Sequence, residues 1–277
     1  MIVIADSGSS KTDWLVFNNT SQTEIETTGI NPLFQNTSEI YKKLVSAFEK
    51  IDCKMVKEVH FYGAGCIKGK TDAVVADALC KLFVNASVEV ADDMLGAARA
   101  MLQNQSGFAC ILGTGANSCF YNGSEIIDKI SPLGFILGDE GSGAHIGKLF
   151  LNDYFKRAIP EDFATLVQEK LNPDMANIIS AVYRGEYPSR YLATFSKFLG
   201  EHKDNNYVKN LIKRSFTEFF FRNIERYNGY KNYKVNFVGS IAQHYSDILK
   251  EVAFEREIEI GQILQKPIDA LKHFHTK

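Results

Sequence analysis

The feature that most constrains this fold is an opening that occurs twice. Ile2-Val-Ile-Ala5 is a short β-branched run, Asp6-Ser-Gly-Ser-Ser-Lys-Thr-Asp13 is a run of turn formers, and Trp14-Leu-Val-Phe17 is apolar again. About a hundred residues later the order returns: Phe108-Ala-Cys-Ile-Leu112, then Gly113-Thr-Gly-Ala-Asn-Ser118, then Cys119-Phe-Tyr121. Strand, small-residue turn, strand is a β-hairpin pattern, and its recurrence at long spacing marks two related halves. At 277 residues the chain also exceeds the ~150 that serve as a prior for one domain, so two lobes are expected.

The rest of each half alternates strands with helices. A third strand is expected at Thr23 to Thr28. Apolar residues then take helical spacing at Ile40, Leu44, Val45, Phe48 and Ile51, with Ser38 as the expected N-cap. Val59 to Tyr62 reads as a strand, Thr71 to Val84 as a helix, Val88 to Ala91 as a strand and Asp93 to Leu102 as a helix. In the second half Asn122-Gly123 signals a hairpin turn before Ile126. A long helix is expected over Val208 to Tyr227, a core strand at Val235 to Val238, and another helix after Gly239-Ser-Ile-Ala-Gln243. The charged stretch Lys250 to Glu259 reads as a solvated helix face.

Composition removes several function classes. Lys and Arg number 31 against 33 Asp and Glu, a formal charge of -2, so a long basic face for nucleic acid is not expected. No run approaches the ~20 apolar residues needed to span a bilayer. Ile2 to Ala5 is halted by Asp6 with no basic segment before it, unlike a secretory leader. The five cysteines, Cys53, Cys66, Cys80, Cys110 and Cys119, form no CxxC pair, which points to reduced thiols and a cytoplasmic protein.

Turns of glycine and serine at strand ends let an anion approach backbone N–H groups, and phosphate is the usual anion. Asp6 beside such a turn would repel phosphate unless it holds Mg2+, directly or through water, and Lys11 adds a positive charge. Asp92 ends a strand and opens a helix, where a carboxylate serves either as a cap or as a general base. Ser131 to Gly143 carries four glycines and an acidic pair beside buried-looking Phe135, Ile136 and Leu137, a composition suited to a ligand loop with Asp139 bonding hydroxyls. Gly143-Ala-His-Ile-Gly147-Lys148 is not a Walker A loop: it has three residues between its glycines, and Leu149 where Ser or Thr is needed. No GxGxxG opens a helix after a strand. None of the six histidines, His145 included, sits at metal-ligand spacing from another His or Cys.

Taken in order, Asp6-Ser-Gly-Ser-Ser-Lys-Thr-Asp13, Leu112-Gly-Thr-Gly-Ala-Asn117, Leu137-Gly-Asp-Glu-Gly-Ser142 and Val238-Gly-Ser-Ile-Ala242 resemble the phosphate-1, phosphate-2, sugar-loop and adenosine motifs of N-acetylglucosamine kinases, in the BadF/BadG/BcrA/BcrD-type ATPase family of the actin-like sugar kinase superfamily. The resemblance spans roughly residues 1 to 271. It implies an α/β fold of two ribonuclease-H-like (actin-like ATPase) lobes, each a mixed five-stranded sheet with flanking helices, with an ATP cleft between them. The lobes are expected at 1–107 and 108–264, with a helix at about 265–277 packing back on the first.

It further implies that Gly8, Ser9, Ser10 and Lys11 face the ATP phosphates, with Asp6 organising Mg2+ through water. Gly113, Thr114 and Gly115 would hold the phosphates from the second lobe, and Gly239, Ser240 and Ala242 would meet adenosine. Asn31, Ala116, Asn117, Leu133, Gly134 and Asp139 would bind sugar, Asp92 would be the catalytic base, and Gly63-Ala-Gly65 would wall the cleft. The implied reaction is transfer of the γ-phosphoryl group to a hexosamine 6-hydroxyl, and a homodimer is a family expectation.

Ser7 and Ser9 stand where the family usually has glycine, Ala116 where serine is common, and Leu133 where the animal kinases have tryptophan. These departures leave the sugar open among N-acetylglucosamine, glucosamine and glucose, because one small group shifts such discrimination by only ~1–3 kcal/mol. Two other readings belong to the same fold. One is a nucleotide-driven activator of a dehydratase or reductase, which would need cysteines for a shared iron–sulfur cluster. The other is a non-catalytic sugar sensor, against which the joint presence of Asp6, Asp92 and Asp139 argues.

Overall fold

The computed structural model describes residues 1–8 and 10–276 and divides them into two compact units, 1–106 with 121–126 and 266–276, and 107–120 with 127–265. The expected site residue Ser9 lies outside the described residues.

The first unit begins with β1 (Ile2–Ser7), β2 (Lys11–Phe17) and β3 (Gln22–Thr28), an antiparallel meander. Helix α1 (Thr37–Ala47) leads to β4 (Glu58–Gly63), α2 (Asp72–Leu82), β5 (Ser87–Asp92) and α3 (Asp93–Leu102). Strand order is β3-β2-β1-β4-β5, with β4 and β5 parallel to β1. Alternation along β1 separates two cores. Val3 and Ala5 join Ile40 and Leu44 of α1 and Val75 and Leu79 of α2. Ile4 turns the other way, to Ala100 of α3 and to Ile268 and Leu271 of the last helix, α12.

The second unit repeats this plan. It runs through β6 (Gly107–Leu112), β7 (Ala116–Tyr121), β8 (Ile126–Asp128), the short α4 (Gly134–Leu137), α5 (Gly143–Phe155), α6 (Glu161–Lys170), α7 (Met175–Arg184), α8 (Pro188–Glu201) and α9 (Asn206–Arg222). Strand β9 (Val235–Val238), α10 (Ser240–His244), α11 (Ser246–Glu255) and β10 (Ile260–Leu264) complete it, before the chain returns to the first unit as α12 (Ile268–His275). Its five strands lie in the order β10-β9-β6-β7-β8, the same arrangement as in the first sheet. Both units are therefore α/β, each a five-stranded sheet with flanking helices.

Three local expectations are corrected. The α1 N-cap is Asn36, not Ser38, because Glu39 lies three residues on and completes a reciprocal capping box. The long helix stops at Arg222 and continues only as a separate 3-10 turn over Ile224–Arg226. Strand β10 arises where no strand was expected, since Gly261 and Gln262 interrupt its apolar run.

Candidate active site

In the first unit the ends of three parallel strands form one row. Ser7 pairs with Gly63, and Gly63 pairs with Asp92. With strands about 4.8 Å apart, the Asp92 backbone lies roughly 10 Å from that of Ser7. Residues in one row share a face, so Asp92 continues the α1/α2 side of the sheet. Its carboxylate caps α3, accepting the Leu95 N–H at 2.8 Å. The structural role of Asp92 is therefore real and coexists with its half-buried place at a strand end.

Asn31 sits on the same face, in the loop after β3. Its Oδ1 accepts the Leu33 N–H at 2.9 Å, and its own N–H donates to Gln35 Oε1 at 3.0 Å. Gly65 packs directly against that side chain. Its φ is +79°, and a Cβ there would run into Asn31 Oδ1, so glycine is required on both counts.

Asp6, one residue before Ser7, points to the opposite face. There it meets Asp13, its direct partner across β1 and β2, and Asp93 of α3. Burial, then these two carboxylates, push the Asp6 carboxyl up to about 7, while Lys11 and Lys266 pull it down. The two lysines hold Asp13: Lys11 Nζ at 3.1 Å and Lys266 Nζ at 2.8 Å from Oδ1. Lys11 also reaches Glu26 at 3.2 Å, so its ammonium is shared among carboxylates. The turn itself is closed by Gly8 N–H to Lys11 O at 3.0 Å, and leaves Gly8 and Ser10 exposed.

A crowded carboxylate cluster with incomplete cationic compensation fits a divalent cation. Among the described residues no group of three or more His, Cys, Asp or Glu side chains could hold a metal alone. An ion at Asp6 would therefore complete its shell with water and phosphate oxygens, as Mg2+ commonly does.

In the second unit the Gly113-Thr-Gly115 turn is docked on the start of α5. Gly143 N–H donates to Gly113 O at 2.8 Å and Ala144 N–H to Thr114 O at 3.1 Å, while Ser142 Oγ caps the His145 N–H at 3.1 Å. These bonds satisfy donors that a helix start otherwise leaves open. In a trans peptide C=O and N–H point in opposite directions. The N–H groups of Thr114 and Gly115 are consequently aimed away from α5, as an anion site requires. Behind the turn, His145 Nδ1 bonds Ser215 Oγ at 2.8 Å, and burial pushes its imidazole down to about 4.

Asp139 is brought to this turn. A Cβ on Gly115 would lie 3.0 Å from its Oδ2, and the Ala116 N–H donates to its carboxylate. Burial leads the shift that pushes Asp139 up to about 6, with Glu140 adding to it. The loop is strained: Leu133 and Asp139 are non-glycine residues at φ +61° and +57°, and Gly134 is at +75°. Asp139 N–H to Pro132 O at 3.0 Å holds that shape. Left-handed backbone at two side-chain-bearing positions is the kind of strain that clusters at ligand loops. Ile136 and Leu137 are exposed rather than buried, contrary to expectation, and Leu133 is exposed as well. Asn117 uses Oδ1 locally, on the Ser118 N–H at 3.0 Å.

Gly239 joins β9 to α10 at φ +124°, and a Cβ there would collide with Leu112 O. Ser240 beside it is exposed, whereas Ala242 is fully buried in the core. Ala242 therefore supports the turn from beneath and offers no surface to adenosine, because α10 turns its side chain inward.

Sequence reasoning missed Ser7, Thr12, Asp13 and Lys266. Asp13 could have been found by counting back from the hairpin turn, which pairs 6 with 13. Lys266 carries no local signal, since it arrives from the far end of the chain.

No protein-family model and no curated protein matches the chain. Among solved structures, a Porphyromonas gingivalis protein provisionally named an N-acetylglucosamine kinase is 40% identical, covering 99% of this chain and 98% of its own, at a TM-score of 0.94. The chain belongs to the N-acetylglucosamine kinase family. It is thus a member of a sugar kinase family, and the repeated hairpins are that family's fold rather than a coincidence of pattern. A Chromobacterium violaceum protein with the same provisional name shares the fold at a TM-score of 0.70 and 14% identity, over 99% of this chain and 98% of its own. A Listeria monocytogenes protein, provisionally an N-acetylmannosamine kinase, does so at 0.54 and 12%, over the same shares. Membership in the N-acetylglucosamine kinase family disfavours the iron–sulfur activator. So does the full burial of Cys110 and Cys119, which reach no surface where a shared cluster could form. Among the described residues no helix is long and apolar enough to cross a membrane.

Proposed function

We propose that the chain is an ATP-dependent hexosamine kinase that phosphorylates the sugar 6-hydroxyl, with N-acetylglucosamine as its substrate. The observation that carries this reading is full-length 40% identity to the P. gingivalis protein, together with Asp92 at a strand end in the row of Ser7 and Gly63.

A sugar hydroxyl is a weak nucleophile at neutral pH. Asp92, which also caps α3, accepts its proton as the general base. Asn31 and Gly65 on that face, and Asp139, Asn117, Leu133 and Gly134 in the second unit, orient the ring, with the Ala116 N–H holding Asp139 in place. Ser10 and Lys11 of the first turn, and Thr114 and Gly115 of the second, bind phosphate oxygens through backbone N–H groups and one ammonium, while Gly8 and Gly113, whose own N–H groups close their turns, let the phosphates come close. Gly239 and Ser240 line the adenosine. Asp6 holds the water shell of the cation. Held there, Mg2+ would supply positive charge against the charge that develops on the transferred phosphoryl group. ATP dependence and reduced thiols together support a cytoplasmic setting.

The test is a panel of hexoses and hexosamines with Mg-ATP, following ADP and sugar phosphate together. Stoichiometric ADP and hexosamine 6-phosphate are expected. ADP without sugar phosphate would replace the kinase with an ATPase.

A further inference from the structure

Ser7 is fully buried although it borders the β1–β2 turn. A serine hydroxyl has one proton to give and two lone pairs, and here all three are engaged. Oγ donates to Ile30 O at 3.0 Å, accepts the Ile30 N–H at 3.1 Å, and lies 2.7 Å from Thr12 Oγ1. Since its only proton goes to Ile30, the buried Thr12 hydroxyl is the donor in the third bond. One hydroxyl thus clamps both polar backbone groups of Ile30, the residue before Asn31. A weaker link runs parallel to it, from Gly29 N–H to Ser10 O at 3.2 Å.

We propose that Ser7 is a positioning residue, whose hydroxyl fixes the Asn31 loop against the β1–β2 turn and so sets the sugar against Asp92. The effect on sugar rests on the kinase reading above; the tether itself does not. Register supplies the reason the tether reaches the chemistry. Ser7 and Asp92 lie in one row on one face, so a shift of the Ile30–Asn31 segment moves the sugar relative to the base while leaving Asp6 on the other face. Removing the hydroxyl leaves the Ile30 N–H and C=O and the Thr12 hydroxyl without their buried partner, which the chain relieves by moving the loop. Serine at this position thus has a local use that glycine could not serve.

The experiment compares Ser7→Ala with Val59→Ala, which opens a cavity in the same core without touching the tether. Amide hydrogen exchange at Ile30 in the substrate-free chain reads the tether. Steady-state KM values for sugar and for ATP read its consequence. Ser7→Ala is expected to speed Ile30 exchange and to raise the sugar KM about 10-fold, a loss equivalent to one buried hydrogen bond, with the ATP KM nearly unchanged. Val59→Ala is expected to leave the ratio of the two KM values at its wild-type value. Unchanged Ile30 exchange in Ser7→Ala, or sugar and ATP KM rising together as in a general loss of stability, would overturn the proposal. If Ser7→Ala does not fold, Thr12→Val removes one of the three bonds and is expected to move both readouts in the same direction by less; no movement would overturn it. Failure of the wild-type chain to phosphorylate any sugar overturns the kinase reading instead, while Ile30 exchange still decides the tether.

Discussion

Asp6 and Asp13 face each other directly across the first hairpin, and both belong to one carboxylate cluster with Asp93. Like charges so placed repel, and the cluster is tolerated because Lys11 and Lys266 reach Asp13. Lys266 comes from the segment that carries α12, so the chain's last elements help set the charge of its first turn.

Replacing Lys266 by Ala removes a cation that holds the Asp6 carboxyl down. The acid limb of kcat/KM for Mg-ATP should move to higher pH, and Lys266→Arg should restore it. A pH–rate profile checks this, and coincident profiles for wild type and Lys266→Ala would count against the charge coupling.

Asp6 makes stability depend on pH in a defined sense. Its folded value, about 7, lies above the usual 3.8, so the folded chain holds a proton that the unfolded chain has lost. Stability therefore falls as pH rises from about 4 to 7. Asp6→Asn should raise the melting temperature at pH 8 more than at pH 4.5 while abolishing activity, a trade of function against stability. Mg-ATP binding at pH 7 should release protons, which calorimetry in buffers of different ionisation enthalpy measures.

How much of this was legible in the sequence follows from the range of each signal. The twin hairpins, β4, β5 and α3 could be read because their patterns are local: β-branched runs, small-residue turns and 3.6-residue spacing lie within a few residues of one another. Strand β10 could not, because its pairing with β9 supplies the order that Ile260-Gly-Gln-Ile-Leu264 lacks by itself. The exposure of Ile136 and Leu137 went against composition, since a strained loop held by Asp139 and Pro132 turns them outward. Ser7 looked like a mere replacement of glycine until its partner 23 residues away was known.

Gly239→Ala tests a turn rather than a charge. A side chain at φ +124°, pressed on Leu112 O, should lower stability by about 1–3 kcal/mol. Urea unfolding of the second unit reads the loss, and an unchanged midpoint would contradict the geometry.

Acid should loosen α12 before the rest of the first unit. His275 Nε2 lies 2.9 Å from Tyr62 OH, and its ring stacks on His60 at 3.7 Å. Burial, then the neighbouring His60, push it down to about 4, below the usual 6.5. Its neutral form is the one that fits, so its contribution is complete above about 6.5 and lost as pH falls towards 4. Hydrogen exchange in α12, corrected for intrinsic rates, should rise at pH 5 relative to 7.5, and His275→Phe should flatten that rise.

Asp92 carries two roles that substitution can separate. Asn caps a helix about as well as Asp, yet it cannot accept a proton as a base. The decisive measurement is kcat of Asp92→Asn on the sugar that the wild type phosphorylates. The account predicts a fall of ~10²–10⁴-fold, with ATP affinity and melting temperature close to wild type. A kcat within twofold of wild type in the folded variant would contradict it.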